Sequence, residues 1–317
     1  MSCTKSKTIS RRFLTGGATL DNATHSEPLI KQLDPNTGIC MWPGKTLRIP
    51  GLELFGHCQF TKAGPPLDPH DHGTCIEIIF VVAGRDSYSV GGQTYELSGN
   101  SVFVAMPGEE HQSHEDYQGL SEHVWVQLDL AVSRDFLGLS EANAAEMKRR
   151  LRALDKHQYS TSPGFIKLVK DCYRALDTRG TGLYFNALLV DVLSRFLYVE
   201  SAPPAADRDV ERILQYMQEN FRDNTLTLGL VAERCNMSES GLKHKFRQVT
   251  GDTAGHYLTR LRIDHAKRLL SEGASVTGAA MDAGFGSSDY FAVVFKKYTR
   301  QTPSAYARAA REKDGKK

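Results

Sequence analysis

The chain has 317 residues, enough for about two domains, and 40% of them are hydrophobic while 24% are charged. A formal net charge of +2 points to no particular partner. The six cysteines lack a C-x-x-C spacing and no run of about 18 apolar residues occurs, so neither a disulfide framework nor a transmembrane helix is expected. These features favour a reduced, cytoplasmic protein.

Residues 1–30 are polar, and we expect a mobile arm. Arg11 and Arg12, followed by Phe13 and Leu14, resemble part of a twin-arginine export signal. Residues 15–27, however, are rich in Gly, Thr, Asp and Asn instead of the apolar segment that such a signal requires. Export is therefore not expected.

Residues 31–135 have the pattern of an all-β domain. Short runs rich in Val, Ile, Phe and Tyr alternate with Gly, Pro and Asn. The candidate strands are residues 52–61, 77–82, 86–90, 93–97, 101–105 and 123–130, and Gly91-Gly92 is typical of a hairpin turn. Because the sheets must close on themselves to bury these faces, the sequence predicts a β-barrel.

A ligand-like constellation lies within these strands: His70, His72, Glu77 and His111, with Gly84 after the first strand. The pattern resembles the two motifs of cupins, small β-barrels in which such residues can hold one divalent metal. The second motif departs from the enzymes of that group, because Pro107 and Gly108 are adjacent and Glu115 replaces the usual Asn. It is more similar to the degenerate cupin of AraC-type sensor domains, which usually bind a small effector without metal.

Three roles for the cluster stay open on the sequence. Three imidazoles and a carboxylate suit Zn, Fe, Ni or Mn. The second role is metal-free contact with an effector, and the third is purely structural hydrogen bonding. No cofactor is expected by default, and a divalent metal is the alternative. Residues that could contact the effector are His70, His72, Glu77, Tyr88, Tyr95, His111 and Trp125. His114 and His123 are interpreted as solvated.

A helical pattern returns in residues 136–200. The segment 183–198 is apolar almost all round, which implies burial on more than one side. We predict a helical dimerisation segment, which the substitution Leu193→Asp should disrupt, and the alternative is packing of this helix on its own barrel alone. Residues 201–207 contain two prolines and predict a linker.

Residues 208–309 contain the same pattern twice. Each copy has a short helix, a tight turn, a second helix with an N-capping serine at Ser238 or Ser287, and a stop. A continuous helical pattern of residues 253–270 joins the copies. About 18 residues at 1.5 Å give roughly 27 Å, which suits two helices reading successive major grooves.

The positive charge is concentrated in this half of the chain. Residues 208–317 carry 19 Lys/Arg against 13 Asp/Glu, a net charge of +6, whereas residues 1–207 have a net charge of −4. Residues 310–317 are expected to form a basic tail. A polyanion partner would therefore bind the C-terminal half.

The segment 237–306 resembles the DNA-binding domain of AraC/XylS-type bacterial transcription regulators, and the match extends without a gap over about 100 of the 317 residues. The resemblance implies an α+β multidomain protein, with a cupin-like β-barrel, a helical dimerisation segment and an all-α domain of two helix-turn-helix units joined by a long helix. It also implies a non-enzymatic homodimer that binds promoter DNA and a small-molecule effector and contacts RNA polymerase. The alternatives are a cupin metalloenzyme (dioxygenase or isomerase) fused to a DNA-binding module, and a regulator controlled by a partner protein.

By alignment to the family, the predicted DNA-contacting residues are Ser238, Ser240, Lys243, His244, Arg247, Ser287, Ser288, Asp289, Ala292, Val293, Lys296 and Lys297. The first unit presents donors, whereas the second presents Ala292 and Val293 at its centre. We therefore expect the first unit to carry most base discrimination.

Overall fold

The computed structural model describes residues 31–34, 39–64, 66–113, 119–177, 182–198 and 207–314. The predicted arm, residues 201–206 of the predicted linker, His114, Glu115 and residues 315–317 lie outside the described residues. No helix in the described ranges is long and apolar enough to cross a membrane.

The described N-terminal half is built on antiparallel strands. These are β1 (Lys31–Asp34), β2 (Ile39–Pro43), β3 (Leu52–Gln59), β4 (Cys75–Val90), β5 (Gln93–Ser98), β6 (Ser101–Ala105), β7 (His111–Ser113), β8 (Ser121–Asp129) and β9 (Gln158–Ser160). The main sheet has the order β1-β2-β3-β8-β4-β6-β9, and β5 and β7 both pair with the second half of β4. This is the expected cupin-like antiparallel architecture.

The two strands predicted at residues 77–82 and 86–90 form the single long strand β4. Gly84 has φ +80°, and a Cβ there would lie 2.0 Å from the carbonyl oxygen of Leu120. The register with β8 also shifts between Val81 and Ala83. The chain bends at this bulge and continues into the second sheet instead of ending.

Alternation along β4 separates a helix-covered face from an interior face. Ile78 and Phe80 belong to the large core beneath the helices. Glu77 and Ile79 point to the opposite side, with Ile79 in a second, smaller core, because successive side chains of a strand alternate. The interior face therefore carries both Glu77, a candidate metal-binding residue, and the apolar side chains that line the interior.

Four helices accompany the strands: α1 (Gly44–Leu47), α2 (Glu141–Arg152), α3 (Pro163–Asp177) and α4 (Gly182–Tyr198). Helix α4 buries Phe185, Leu189 and Phe196 in the core of its own domain. Leu193 is 0% exposed in the same core, so Leu193→Asp would disrupt the packing of this domain itself. An apolar pattern identifies a buried position without revealing which surface covers it.

The described C-terminal part is helical: α5 (Arg208–Asn220), α6 (Leu228–Arg234), α7 (Glu239–Thr250), α8 (Ala254–Ser271), α9 (Val276–Asp282), α10 (Ser288–Thr299) and α11 (Pro303–Asp314). Helix α8 has 18 residues and joins two separate apolar cores, one around Phe246 and one around Phe295. Because α11 continues to Asp314, the predicted basic tail from residue 310 is helical over its first half.

Candidate functional site

The histidine cluster, consisting of His70, His72, Glu77 and His111, is assembled at one end of the interior face. Glu77 is near the start of β4, and His111 opens β7. His70 and His111 exchange backbone hydrogen bonds of 3.1 and 2.9 Å, which pins the loop before β4 to β7. Four residues separated by up to 41 positions in sequence are thus brought together.

Glu77 is the centre of the cluster and is only 5% exposed. Its two carboxylate oxygens lie 3.2 Å from Nε2 of His72 and 3.0 Å from Nε2 of His111. The side-chain amide of Gln127, which faces Glu77 across β8, donates to Oε1 at 2.8 Å. Such a buried carboxylate requires these partners to offset its desolvation. Gln127 is a cluster residue that sequence inspection missed, since its role follows from strand register.

Two backbone carbonyls orient the imidazoles. Nδ1 of His70 donates to the carbonyl of Asp68 at 2.7 Å, and Nδ1 of His111 donates to that of Glu109 at 3.1 Å. In His111 this leaves Nε2 facing Glu77, and in His70 it leaves Nε2 as the nitrogen that could bind a ligand. Carbonyl contacts of this kind fix the tautomer of metal-binding histidines.

The donor set fits a divalent metal. One nitrogen or oxygen atom from each of His70, His72, Glu77 and His111 lies within 4.8 Å of the others. Atoms bound at about 2.0–2.2 Å from one ion lie at most about 4.4 Å apart, so the four side chains would close by a few tenths of an ångström around an ion. The chemistry of three neutral imidazoles and one carboxylate suits a borderline transition metal.

Electrostatics keep the carboxylate ionised. Burial alone would raise the pKa of Glu77, but hydrogen bonds from His111 and His72 outweigh it and hold that pKa well below its ordinary value. Burial likewise opposes protonation of His111, yet the hydrogen bond to Glu77 leaves its pKa raised. For His70, burial and the neighbouring His111 lower the pKa.

The three aromatic residues that were predicted to contact an effector have different surroundings in the structure. Trp125 points into the interior, over Gly56, where a Cβ would lie 2.2 Å from its ring. Tyr88 is 2% exposed and stacks on Phe103 with ring centroids 4.9 Å apart, so it is part of the interior core. Tyr95 lies outside that stack and lines a polar surface groove of about 410 Å³ beside the barrel.

His123 corrects another expectation. It was interpreted as solvated, but it is 2% exposed and faces the interior from β8. Burial lowers its pKa to about 4. His123 lies at the end of β8 away from the histidine cluster and is not part of it.

The first candidate DNA-reading surface lies on α7. The hydroxyl of Ser238 accepts the backbone N–H of Gly241 at 3.1 Å, which starts the helix, while Leu242 and Phe246 are fully buried beneath it. The predicted contact residues all lie on the opposite, exposed side: Ser240, Lys243, His244 and Arg247. Hydrogen-bond donors are concentrated on this surface.

The second candidate surface lies on α10 and starts in the same way. Ser287 accepts the N–H of Tyr290 at 3.2 Å. Asp289, Val293, Lys296 and Lys297 are exposed, whereas Ser288 and Ala292 are half-buried. The centre of this surface is Val293, which is 70% exposed.

Tyr290 is an exposed aromatic that the sequence prediction missed. It is 62% exposed and stands next to Val293 on the α10 surface. Its neighbour Phe291 is fully buried, and the sequence pattern alone gives little reason to separate two adjacent aromatics. The second surface therefore presents the apolar side chains of Tyr290 and Val293 at positions where the first has Gly241 and His244.

Comparisons with known proteins agree with this architecture. Residues 63–193 match the AraC-like ligand binding domain, and residues 231–309 match a helix-turn-helix domain. The chain is 27% identical over 241 residues to the HTH-type transcriptional activator RhaS of Salmonella schwarzengrund, covering 74% of this chain and 86% of the relative. It is 25% identical over 257 residues to the activator RhaR of an Enterobacter species, covering 77% and 88%.

The chain is also similar to solved structures. The C-terminal domain of AraT, a response regulator from Geobacillus stearothermophilus, has 32% identity and a TM-score of 0.33, covering 33% of this chain and 88% of that one. ToxT from Vibrio cholerae has 12% identity and a TM-score of 0.31, covering 80% and 97%. The two matched domains and the relatives of similar length together place the chain: it belongs to the AraC/XylS family of DNA-binding transcription regulators that carry a ligand-binding domain.

Proposed function

We propose that this protein activates transcription from promoter DNA in response to a small molecule bound at the histidine cluster. The observation that carries the proposal is the convergence of His70, His72, Glu77 and His111 inside a barrel that is joined to two exposed reading helices. The activator role is taken from the relatives, which are named as transcriptional activators. Activation implies contact with RNA polymerase at the promoter.

The chemistry of the cluster narrows the effector class. The ionised Glu77 and the imidazole nitrogens favour a ligand with hydroxyl groups, which can donate to the carboxylate and accept from an imidazole N–H. A divalent metal would be held by the three imidazoles and Glu77, and when bound it supplies a Lewis acid that anchors an effector oxygen. The protein's own residues orient that ligand, with Gln127 and Trp125 next to it.

Regulation rather than catalysis is the role we infer. The relatives named as activators are matched over 86% and 88% of their length, so the barrel is part of the regulator architecture and not an unrelated module. The metalloenzyme alternative requires a stoichiometric metal in the isolated protein. Metal analysis of protein purified without a metal-affinity tag separates the two: sub-stoichiometric metal removes the enzyme alternative.

The cluster can be tested by substitution. His72→Ala should abolish the thermal stabilisation produced by an effector, identified in a screen of sugars, hydroxy acids and aromatic acids, and by Zn²⁺. It should leave basal DNA affinity unchanged, because His72 contacts Glu77 and Gln127 inside the barrel. The matched control is His256→Ala, a half-exposed histidine outside the cluster. If His72→Ala retained the full effector response, the cluster would not be the effector site.

We also propose a homodimer formed through the outer face of α4. Leu183, Tyr184 and Tyr198 are 80%, 58% and 53% exposed. They lie on the side of α4 opposite its buried stripe, and exposed apolar residues of this size favour a partner surface. A Leu183→Glu variant should sediment as a monomer, whereas Lys167→Glu on the exposed side of α3 should not change the sedimentation coefficient. An unchanged dimer in Leu183→Glu would place the interface elsewhere.

A further inference from the structure

The barrel contacts the carboxyl ends of both reading helices. At α7, the side-chain amide of Asn100 donates to the carbonyls of Gln248 at 3.3 Å and Val249 at 3.1 Å. At α10, the backbone N–H of Ala63 donates to the carbonyl of Lys297 at 2.8 Å. Both contacts join segments that are distant in sequence.

The two contacts occupy equivalent positions of the internal repeat. In α7 the N–H of Gly251 caps the carbonyl of Arg247 at 2.9 Å, and in α10 the N–H of Arg300 caps that of Lys296 at 2.9 Å. The next carbonyl in each helix, at Gln248 or Lys297, is the one that the barrel caps. Carbonyls in the last turn of a helix have no partner within the helix. The barrel therefore supplies the same missing donor twice.

Close packing surrounds these hydrogen bonds. A Cβ on Gly99 would lie 2.4 Å from Cα of Gly251, so the two backbones touch directly. Leu120 packs against the core of the second unit. The guanidinium of Arg85 lies 5.6 Å from the ring centroid of Tyr257, in the core of the first unit.

The docked arrangement leaves the reading surfaces open. Lys243, His244 and Arg247 are exposed, as are Val293 and Lys296. The two units have separate apolar cores, connected by α8 and by polar contacts such as the hydrogen bond from Arg222, after α5, to the carbonyl of Asp282, at the end of α9. A surface that holds both carboxyl ends adds a further constraint on how the two reading helices are placed.

We propose that the barrel is a positioning element for both reading helices, with Asn100 as the positioning residue for α7 and the Ala63–Gly64 segment as the one for α10. Arg300 strengthens the second contact by donating to the carbonyl of Gly64 at 3.3 Å. Holding both ends lets one DNA duplex engage the two helices together, because the second contact then forms at a high effective concentration. The proposal rests on the DNA-binding function and does not depend on the effector.

Both contact segments are connected directly to the histidine cluster. Gly64 precedes His70 by six positions. Asn100 immediately precedes β6, whose last residue, Ala105, pairs with Glu77. A change at the cluster therefore has a short route to each contact segment, along the chain to Gly64 and through the pairing of β4 with β6 to Asn100.

Two substitutions in the full chain loosen the contact without touching the reading surfaces. Gly99→Ala inserts a Cβ where the backbone of Gly251 stands. Asn100→Gly removes the amide but tolerates the backbone φ of +66° at this position. The matched control is Gly164→Ala at the start of α3, where a Cβ would meet only the hydroxyl oxygen of Ser162, at 3.9 Å.

The test compares two duplexes by fluorescence anisotropy. One is selected from a random library by the wild-type protein, and the other is shortened so that it lacks the tract bound by α10. We expect Gly99→Ala and Asn100→Gly to bind the selected duplex about tenfold more weakly than wild type and Gly164→Ala, and the shortened duplex equally well. Thermal melting checks that each variant folds. If Gly99→Ala does not fold, the result for Asn100→Gly alone decides the test.

Three outcomes would overturn the proposal. Unchanged affinity would show that the contact is irrelevant to DNA binding, and tighter binding would show that docking is inhibitory. An equal loss on both duplexes would indicate a general structural role. Failure of the wild-type protein to select any duplex would instead refute the DNA-binding function itself, so the two failures are distinguishable.

Discussion

The two helix-turn-helix units share a scaffold and differ on their exposed surfaces. Phe246 and Phe295 are both fully buried at the same position of their reading helices. Thr250 and Thr299 each donate to the carbonyl four residues earlier at 2.8 Å. Buried positions are constrained by packing and are repeated, whereas exposed positions are free to diverge, so the two units can have unequal roles on DNA.

The exposed residues of the two units differ mainly in the hydrogen-bond donors that they present. Lys243 and His244 of the first unit correspond to Ala292 and Val293 of the second. Arg247 corresponds to Lys296, so a cation remains near the end of each surface. The second unit thus keeps charge for phosphate contact but lacks central donors for base edges. Alanine and valine can still contact thymine methyl groups.

Removing the shared core residue should affect both units alike, and this is the largest effect we expect. Phe246→Ala and Phe295→Ala should each destabilise their own unit by about 3–5 kcal/mol, since each leaves a cavity in a closed core. Hydrogen exchange of the backbone amides of α7 and α10 measures the two units separately. A cost in one unit less than half that in the other would break the equivalence of the scaffolds.

Truncating an exposed residue should weaken DNA binding more in the first unit than in the second. Lys243→Ala should cost about 1–3 kcal/mol in DNA binding, and Val293→Ala well under about 1 kcal/mol, because only the lysine donates to DNA. Anisotropy titrations on one duplex compare the two variants directly. If Val293→Ala proved as damaging as Lys243→Ala, the inequality would be wrong.

Adding a cation to the second unit should reduce the difference between the two units in their contribution to DNA binding. Val293→Arg should tighten non-specific binding and steepen the plot of log K against log salt by about 0.9, the value of one phosphate contact. Titrations at four or more salt concentrations give the slope. His244→Arg is the matched substitution in the first unit. An unchanged slope in Val293→Arg would mean that this position does not face the duplex.

A smaller effect concerns acid sensitivity of the first unit alone. The hydrogen bond and charge of Lys245 lower the pKa of Asp209 below its ordinary value of 3.8, and the second unit has the buried Val294 in place of Lys245. A lowered folded-state pKa stabilises the fold above that ordinary value, and the stabilisation is lost as pH falls through the folded pKa. Asp209→Asn should therefore lower stability at neutral pH and flatten its dependence below pH 4. Identical pH profiles would show that the pair contributes nothing.

Local patterns predicted the repeat well, because helix periodicity and capping serines are encoded within about 20 residues. They failed where the outcome depends on distant segments. Strand β9 has three residues and gains its order only by pairing with β6, while β1, β2 and β7 were also missed. The apolar pattern of residues 183–198 could not decide between a partner and the barrel, because apolarity does not reveal what covers a side chain.

The candidate site was partly predictable for the same reason. Sequence spacing suggested that His70, His72, Glu77 and His111 belong together, and the structure brings them together. Gln127 was missed, since its place opposite Glu77 depends on the register of β8 against β4. The contacts of Asn100 and Ala63 with the reading helices depend on domain packing, which no local pattern encodes.

A missing-base interference scan of the selected duplex, with wild-type protein and Lys243→Ala, tests the central claim most directly. The account predicts two sensitive tracts about 10 base pairs apart, one strong and one weak, and loss of sensitivity in the strong tract alone for Lys243→Ala. A single sensitive tract, or a strong tract that Lys243→Ala leaves unchanged, would contradict the assignment of two unequal reading units.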